Sequence, residues 1–180
     1  MILLQDPRYE LNMSASLKPE QIKKGSRDWL SSISESSLVL SSIIRVIHPE
    51  LFEMGMHAMR TMQCRGDLME VLNLWYSIFN GVQVISNRET PIHRDNSTKS
   101  EWYDLLATVG PYSGAVFELP GLGIRLAYNS GTVIGLCGRL LRHGVSIANG
   151  ERICLAYFMR QNVQRRLGSA MATWSDWVRT

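Results

Sequence analysis

The sequence predicts an α+β protein in which helices in the N-terminal part pack against an antiparallel β-barrel. Three observations carry this. The first part holds helix-start signals and an apolar stripe. From Trp75 the pattern changes to short β-branched and aromatic runs separated by Gly, Pro and Asn turn signals. Finally, 180 residues at 45% apolar and 19% charged content suit one domain with a sizeable core and exclude a disordered chain. Residues 1–74 read as a helical segment supporting the barrel. Residues 75–180 read as the barrel core with a C-terminal tail, the two forming a single domain.

The elements follow in order. Lys18-Pro19-Glu20-Gln21-Ile22 is a helix start, with Pro near the first turn, where its missing N–H costs nothing. Ser31 to Ser42 is serine-rich, but Leu38, Val39 and Leu40, followed by Ile43 and Ile44, make it the edge of a packed segment rather than a linker. A helix is expected from about Pro49 to Met62, with Leu51, Met54, Met56, Met59 and Met62 as core filling. A short helix from Asp67 to about Leu74 leads into the barrel. YSIFNGVQVISN is a strand with Asn80, Val82, Val84 and Ser86 on one face. Further strands are expected at Val116–Leu119, Ile124–Tyr128, Thr132–Leu136, Leu140–Val145 and Arg152–Arg160. Pro120-Gly121 and Asn129-Ser130-Gly131 mark turns between them. Gln161 to Arg166 is polar and basic, and Trp174 and Trp177 should pack a last helix against the sheet.

The net charge of +3 permits nucleic-acid binding without demanding it. No run is apolar and long enough to span a bilayer. MILLQDPRYE lacks the basic-then-apolar pattern of a secretory signal. The three cysteines, Cys64, Cys137 and Cys154, form no CxxC pair, so no structural zinc is expected. They read as buried thiols in a reducing compartment.

The chemistry lies in His93-Arg94-Asp95, His143 and Arg152. Two histidines and one carboxylate on one face can hold Fe(II) while leaving positions open for a co-substrate and O2. In an extended segment His93 and Asp95 share a face and Arg94 points away. His-x-Asp alone also fits a surface His beside a solvated Asp. Here Pro91 and Ile92 precede it as the end of an extended segment, His143 ends a Gly-punctuated β-rich run, and Arg152 opens another strand. In that strand Arg152 shares a face with Cys154, Ala156 and Phe158, so small neighbours leave room for a small diacid. A guanidinium can grip a carboxylate with two parallel hydrogen bonds. The alternative is an exposed arginine at the strand start.

Three segments, FNGVQVISNRETPIHRDN, LLATVGPYSGAVFELPGLGIRLAYNSGTVIGLCGRLLRHGVS and GERICLAYFMRQNV, together resemble the 2-oxoglutarate/Fe(II) dioxygenases. The likeness is to the TET/JBP group expanded in fungi, and it spans roughly Leu74 to Val163. It implies a double-stranded β-helix, a jelly-roll-like barrel. It matches His93, Asp95 and His143 to the iron ligands and Arg152 to the arginine that pairs with the distal carboxylate of 2-oxoglutarate. Animal members of the group oxidise 5-methylcytosine in DNA, trypanosome members hydroxylate thymine, and some fungal members are associated with N6-methyladenine. This chain lacks the Cys-rich zinc module of the animal enzymes, so their DNA-contacting residues do not transfer.

The resemblance implies Fe(II) and 2-oxoglutarate as cofactors, O2 as co-substrate, and DNA with a flipped methylated base as partner. 5-Methylcytosine oxidised to 5-hydroxymethyl- and 5-formylcytosine is the leading expectation, and N6-methyladenine demethylation at the same centre is the alternative. Hydroxylation of a protein or small molecule is a farther alternative, and a non-catalytic binding module a rival of another class. Trp102, Tyr103 and Tyr112 lie after Asp95, where a substrate-covering loop would sit. Arg88, Lys99, Arg142, Arg160, Arg165 and Arg166 could touch phosphates; each of these aromatics and cations equally fits a core or surface role. Asn80 could contact the co-substrate, and Asn96 the co-substrate or base. A DNA substrate implies nuclear residence, though the sequence shows no clear basic import run.

Overall fold

A computed structural model describes residues 2–3, 11–14, 17, 24–66 and 68–175. Residues 82–158 form one compact unit; the described residues up to 81, together with those from 159 onward, form another. The C-terminal residues that the sequence reading placed with the barrel thus group with the helices.

The helical unit opens with a two-stranded ribbon, β1 (Ile2–Leu3) and β2 (Asn12–Met13). Helices α1 (Lys24–Ser32), α2 (Ser34–Ile47), α3 (Pro49–Gln63) and α4 (Met69–Leu72) follow. The serine-rich stretch is helical because its hydroxyls are satisfied within it. Ser41 donates to the Ser37 carbonyl at 2.8 Å, and Ser42 to the Leu38 carbonyl at 2.9 Å. Pro49 separates α2 from α3, since the residue before a proline disfavours the helical region and proline itself suits a first turn. His48 caps α3 by accepting from the Leu51 N–H through Nδ1. Met54, Met59 and Met62 fill the core as expected, the last two beside Leu11, Ala58, Leu68, Leu72 and Val163.

Four expectations need correction here, and two fall outside the described residues. The short helix before the barrel is only Met69–Leu72, and Tyr76 to Asn80 are not strand. Cys64 is exposed at the end of α3, its thiol turned back to the Arg60 carbonyl; only Cys137 and Cys154 are buried. No helix includes Trp174, which is half exposed, and Trp177 lies outside the described residues. The helix start at Lys18–Ile22 also lies outside them.

The barrel unit is built from β3 (Gly81–Ser86), β4 (Thr90–His93), β5 (Asp104–Val109), β6 (Tyr112–Ser113), β7 (Val116–Leu119), β8 (Ile124–Ala127), β9 (Val133–Leu136), β10 (His143–Val145), β11 (Asn149–Gly150) and β12 (Ile153–Phe158). One four-stranded sheet runs β3-β12-β5-β9 and the other β4-β10-β7-β8, with β6 and β11 as a separate pair. Successive barrel strands cross from one sheet to the other except β7 and β8. Those two form a hairpin through a 3-10 turn at Pro120–Leu122, closed by Gly123 at φ 66°. Two interleaved antiparallel sheets wound in this way are the double-stranded β-helix, a jelly-roll-like barrel within an α+β chain. Its interior is Ala115, Phe117, Leu119, Tyr128, Leu136 and Val145, joined by Leu106 and Ile134 from the facing sheet.

Strand β5 corrects the reading of the segment after Asp95 as a covering loop. The non-strand stretch ends at Tyr103, and Asp104–Val109 pairs with both β12 and β9. A strand paired on both edges and buried over most of its length reads as an apolar run, DLLATV, without the alternation that marks a half-exposed strand. The strand expected at Arg152–Arg160 spans only Ile153–Phe158, and the polar, basic segment after it is a helix, α5 (Gln161–Arg166), which packs Val163 and Gln164 into the helical unit.

Candidate metal centre

Antiparallel pairing of β10 with β4 sets His143 directly opposite His93. Their rings lie with centroids 4.4 Å apart. Asp95 follows two residues after His93, where the chain has left β4 and its amide N–H donates to the Gly138 carbonyl at 3.0 Å. The carboxylate therefore spans both rings, with His93 Nε2 3.4 Å from Oδ1 and His143 Nε2 3.6 Å from Oδ2. One ligand atom from each residue lies within 4.8 Å of the others.

Backbone carbonyls fix which ring nitrogen faces this cluster. His93 Nδ1 lies 2.8 Å from the Pro91 carbonyl, and His143 Nδ1 lies 3.0 Å from the Leu141 carbonyl. A carbonyl only accepts, so each Nδ1 carries the proton and each Nε2 keeps its lone pair for a metal. Burial holds the His143 imidazole below its usual pKa, which favours the neutral, ligating form. Two imidazoles and a carboxylate converging, with no other partner at Nε2 among the described residues, suit a divalent transition metal.

Gly138 makes the approach of Asp95 possible. A Cβ at this position would stand 2.4 Å from Asp95 Oδ2 and 2.8 Å from Asp104 Oδ2. Asp104 begins β5 almost fully buried, with neither carboxyl oxygen in full hydrogen-bond geometry with a donor among the described residues. Burial first and the neighbouring Asp95 second push its pKa well up, against weaker opposing pulls from Thr98 and the Gly138 backbone. It stands beside the metal cluster, where burial favours its neutral form.

Arg152, just before β12, is 2% exposed, and its Nε and Nη1 meet no acceptor among the described residues. The alternative of an exposed strand-start arginine is therefore excluded. Its backbone is clamped by Asn87, whose N–H donates to the Arg152 carbonyl at 2.9 Å and whose Oδ1 accepts from the Arg152 N–H at 2.6 Å. Asn87 holds this clamp at φ 49°, a left-handed conformation that Asn tolerates better than most residues. A buried cation with unsatisfied donors is costly unless an anion completes it. The chemistry fits a small carboxylate.

The other predicted residues fall in several places. Trp102 is fully buried with the Lys99 ammonium 5.9 Å from its ring centroid, and Lys99 also pairs with Glu101 at 3.5 Å. Tyr103 is half buried. The Tyr112 hydroxyl donates to the Tyr128 carbonyl at 2.8 Å and lies 2.9 Å from the Thr108 hydroxyl. Asn96 is exposed, and its carbonyl accepts from Arg139 Nη1 at 2.9 Å. Arg88 and Arg142 are exposed in the barrel unit, whereas Arg160, Arg165 and Arg166 belong to the helical unit. Asn80 also belongs there, where its Oδ1 accepts from the Arg160 N–H at 3.0 Å.

Five residues around the site were not singled out from sequence: Asn87, Asp104, Phe117, Tyr128 and Gly138. Three left a signal: an Asn closing a strand, an Asp opening an apolar one, and a Gly that breaks the chain after the strand ending at Leu136.

A double-stranded β-helix carrying a His-Asp-His cluster and a buried arginine defines an Fe(II)- and 2-oxoglutarate-dependent oxygenase. Residues 6–161 match the Tet_JBP family, the oxygenase domain of the 2OGFeDO superfamily, and the chain belongs to that family. No curated protein matches it. His93, Asp95 and His143 form the group that could hold the iron, and the buried Arg152 has the chemistry to meet a carboxylate. When bound, iron and 2-oxoglutarate supply the oxidising power, coupling decarboxylation of the oxo acid by O2 to hydroxylation of a C–H bond.

Proposed function

We propose that this chain oxidises the methyl group of a methylated base in DNA, with 5-methylcytosine as the leading substrate, giving 5-hydroxymethyl- and then 5-formylcytosine. The observation that carries the proposal is the asymmetry of the centre. His143 is 4% exposed at its side chain, whereas Asp95 is 41% and His93 40% exposed, so the cluster opens to solvent on one side only. Arg94 and Arg142, each one residue from a ligand, are exposed, as is Arg139. Exposed cations close in sequence to the ligands of a centre open on one side suit a polyanion that delivers a single group to a metal. A stacked base cannot reach a barrel interior, so the target nucleotide would be flipped out of the duplex.

The protein's own work is positional. The Leu141 and Pro91 carbonyls set the histidine tautomers. Asn87 fixes Arg152, and the buried side of the site excludes water. A nuclear location goes with this substrate.

The test is nucleoside mass spectrometry. The protein is incubated with Fe(II), 2-oxoglutarate and ascorbate on duplexes carrying 5-methylcytosine or N6-methyladenine, with His93→Ala as control. Hydroxymethyl- or formylcytosine supports the proposal. Conversion of N6-methyladenine to adenine instead makes the chain a demethylase. If neither base changes while 2-oxoglutarate is consumed, the DNA reading falls and the oxygenase centre stands.

A further inference from the structure

We infer that Tyr128 is a positioning residue that holds the Arg152 guanidinium for the far carboxylate of 2-oxoglutarate and so sets the selectivity for a diacid co-substrate. The inference rests on the assignment of Arg152 to that carboxylate.

Tyr128 is fully buried just beyond β8. The Arg152 guanidinium carbon stands 5.1 Å from its ring centroid. That is cation–π range, and burial of both groups removes the water that would otherwise weaken the attraction. Four further contacts fix the residue. Its hydroxyl donates to the Leu106 carbonyl on β5 at 3.0 Å and lies 3.6 Å from the Cys154 sulfur on β12. Its own carbonyl is held by the Tyr112 hydroxyl. Phe117 on β7 meets it edge-on at 5.6 Å between centroids. Phe117 in turn stacks on His143, with centroids 6.0 Å apart and planes 14° from parallel. A continuous aromatic wall therefore runs from Arg152 to a metal-cluster histidine. It links the cation to the metal ligands within the barrel unit.

Arginine has many rotamers, and two donors that meet no acceptor among the described residues do not choose among them. The Tyr128 ring offers the guanidinium an electron-rich face that leaves those donors available. It supplies what a carboxylate of the protein could not. A protein carboxylate would pair with the guanidinium and compete with the ligand, whereas a neutral phenol with its pKa raised by burial stays uncharged.

The test uses Mn(II)-loaded protein under anaerobic conditions. Affinity is measured for 2-oxoglutarate and for 2-oxopentanoate, which has the same chain length but ends in a methyl group. Tyr128→Leu and Tyr128→Met remove the aromatic face, Tyr128→Phe keeps it, and Arg152→Met serves as reference. Loss of a desolvated cation–π contact predicts a roughly 10- to 30-fold weaker 2-oxoglutarate affinity in the ringless variants. 2-Oxopentanoate binding and Mn(II) affinity should stay within about twofold, and Tyr128→Phe should restore most of the 2-oxoglutarate affinity. In turnover the same variants raise KM for 2-oxoglutarate more than they lower kcat.

Several results would overturn the inference. Unchanged 2-oxoglutarate affinity in the ringless variants would do so while Arg152→Met is impaired. Equal loss of both oxo acids, or failure of both ringless variants to fold, would reduce Tyr128 to a packing role. Unchanged 2-oxoglutarate affinity in Arg152→Met would remove the assignment of Arg152 itself, a separate outcome.

Discussion

Gly138→Ala should abolish metal binding at a modest cost in stability. Its Cβ would lie 2.4 Å from Asp95 Oδ2 and 2.8 Å from Asp104 Oδ2. Ordinary carbon–oxygen contact needs about 3.4 Å or a little more, so the nearer carboxylate must retreat by about 1 Å. Asp95 is a short side chain whose N–H is already held by the Gly138 carbonyl, so it can escape only by turning away from the histidines. Overpacking of this kind costs about 1–3 kcal/mol, which shifts melting by about 2–4 °C per kcal/mol for a chain of this size. The metal site suffers more, because a ligand misplaced by about 1 Å costs on the order of 100-fold in function. The assay is Mn(II) or Fe(II) titration beside thermal melting, with Gly121→Ala as control. Gly121 sits in the 3-10 turn with no atom within 4 Å of an added Cβ. If Gly138→Ala binds metal within about threefold of wild type while Gly121→Ala does the same, the claim that Gly138 admits Asp95 is refuted.

His93→Ala and Asp95→Ala should each lower 2-oxoglutarate consumption by more than about 100-fold, followed as succinate release; full activity in either sinks the metal assignment. Native protein should expose one thiol to an aromatic disulfide reagent at pH 8 and three after denaturation. Cys64 is exposed, whereas burial raises the Cys154 pKa and pushes that of Cys137 up to about 11, so neither buried thiol is ionised there. Rapid labelling of more than one native thiol would contradict the barrel interior described above. Asp104→Asn should stabilise metal-free protein increasingly as pH rises. The folded state raises the Asp104 pKa above its ordinary value of 3.8, so the folded form binds more protons than the unfolded form between the two pKa values. The wild type therefore loses stability as pH rises through that window, and a neutral amide does not. Melting curves at pH 5.5 and 8 check this, and an equal effect at both values would refute it.

Much of the barrel was legible because its strands report their surroundings locally. VFEL, IRLA and VIGL are bounded by Pro-Gly, Asn-Ser-Gly and Gly turn signals, and the structure places strands on all three. Strand β5 was not legible. Buried between two neighbours, it carries no alternation to set it apart from a packed helix or covered loop. The Trp174 tail failed for a different reason, since an aromatic residue announces hydrophobic surface without saying what covers it.

The sequence by itself determined the donor chemistry: two imidazoles, a carboxylate and a guanidinium, with His93 and Asp95 two residues apart on an extended chain. Side-chain type and local spacing are local properties, and they need no fold to be read. Only the tertiary structure decided the rest. The β4–β10 register put His143 opposite His93, and Gly138 let Asp95 close between them. Asn87, 65 residues from Arg152 in the chain, clamped its backbone, and Phe117 and Tyr128 joined it to the metal ligands. These contacts depend on which strands become neighbours. That is settled by burying one continuous core, and no short stretch of sequence encodes it.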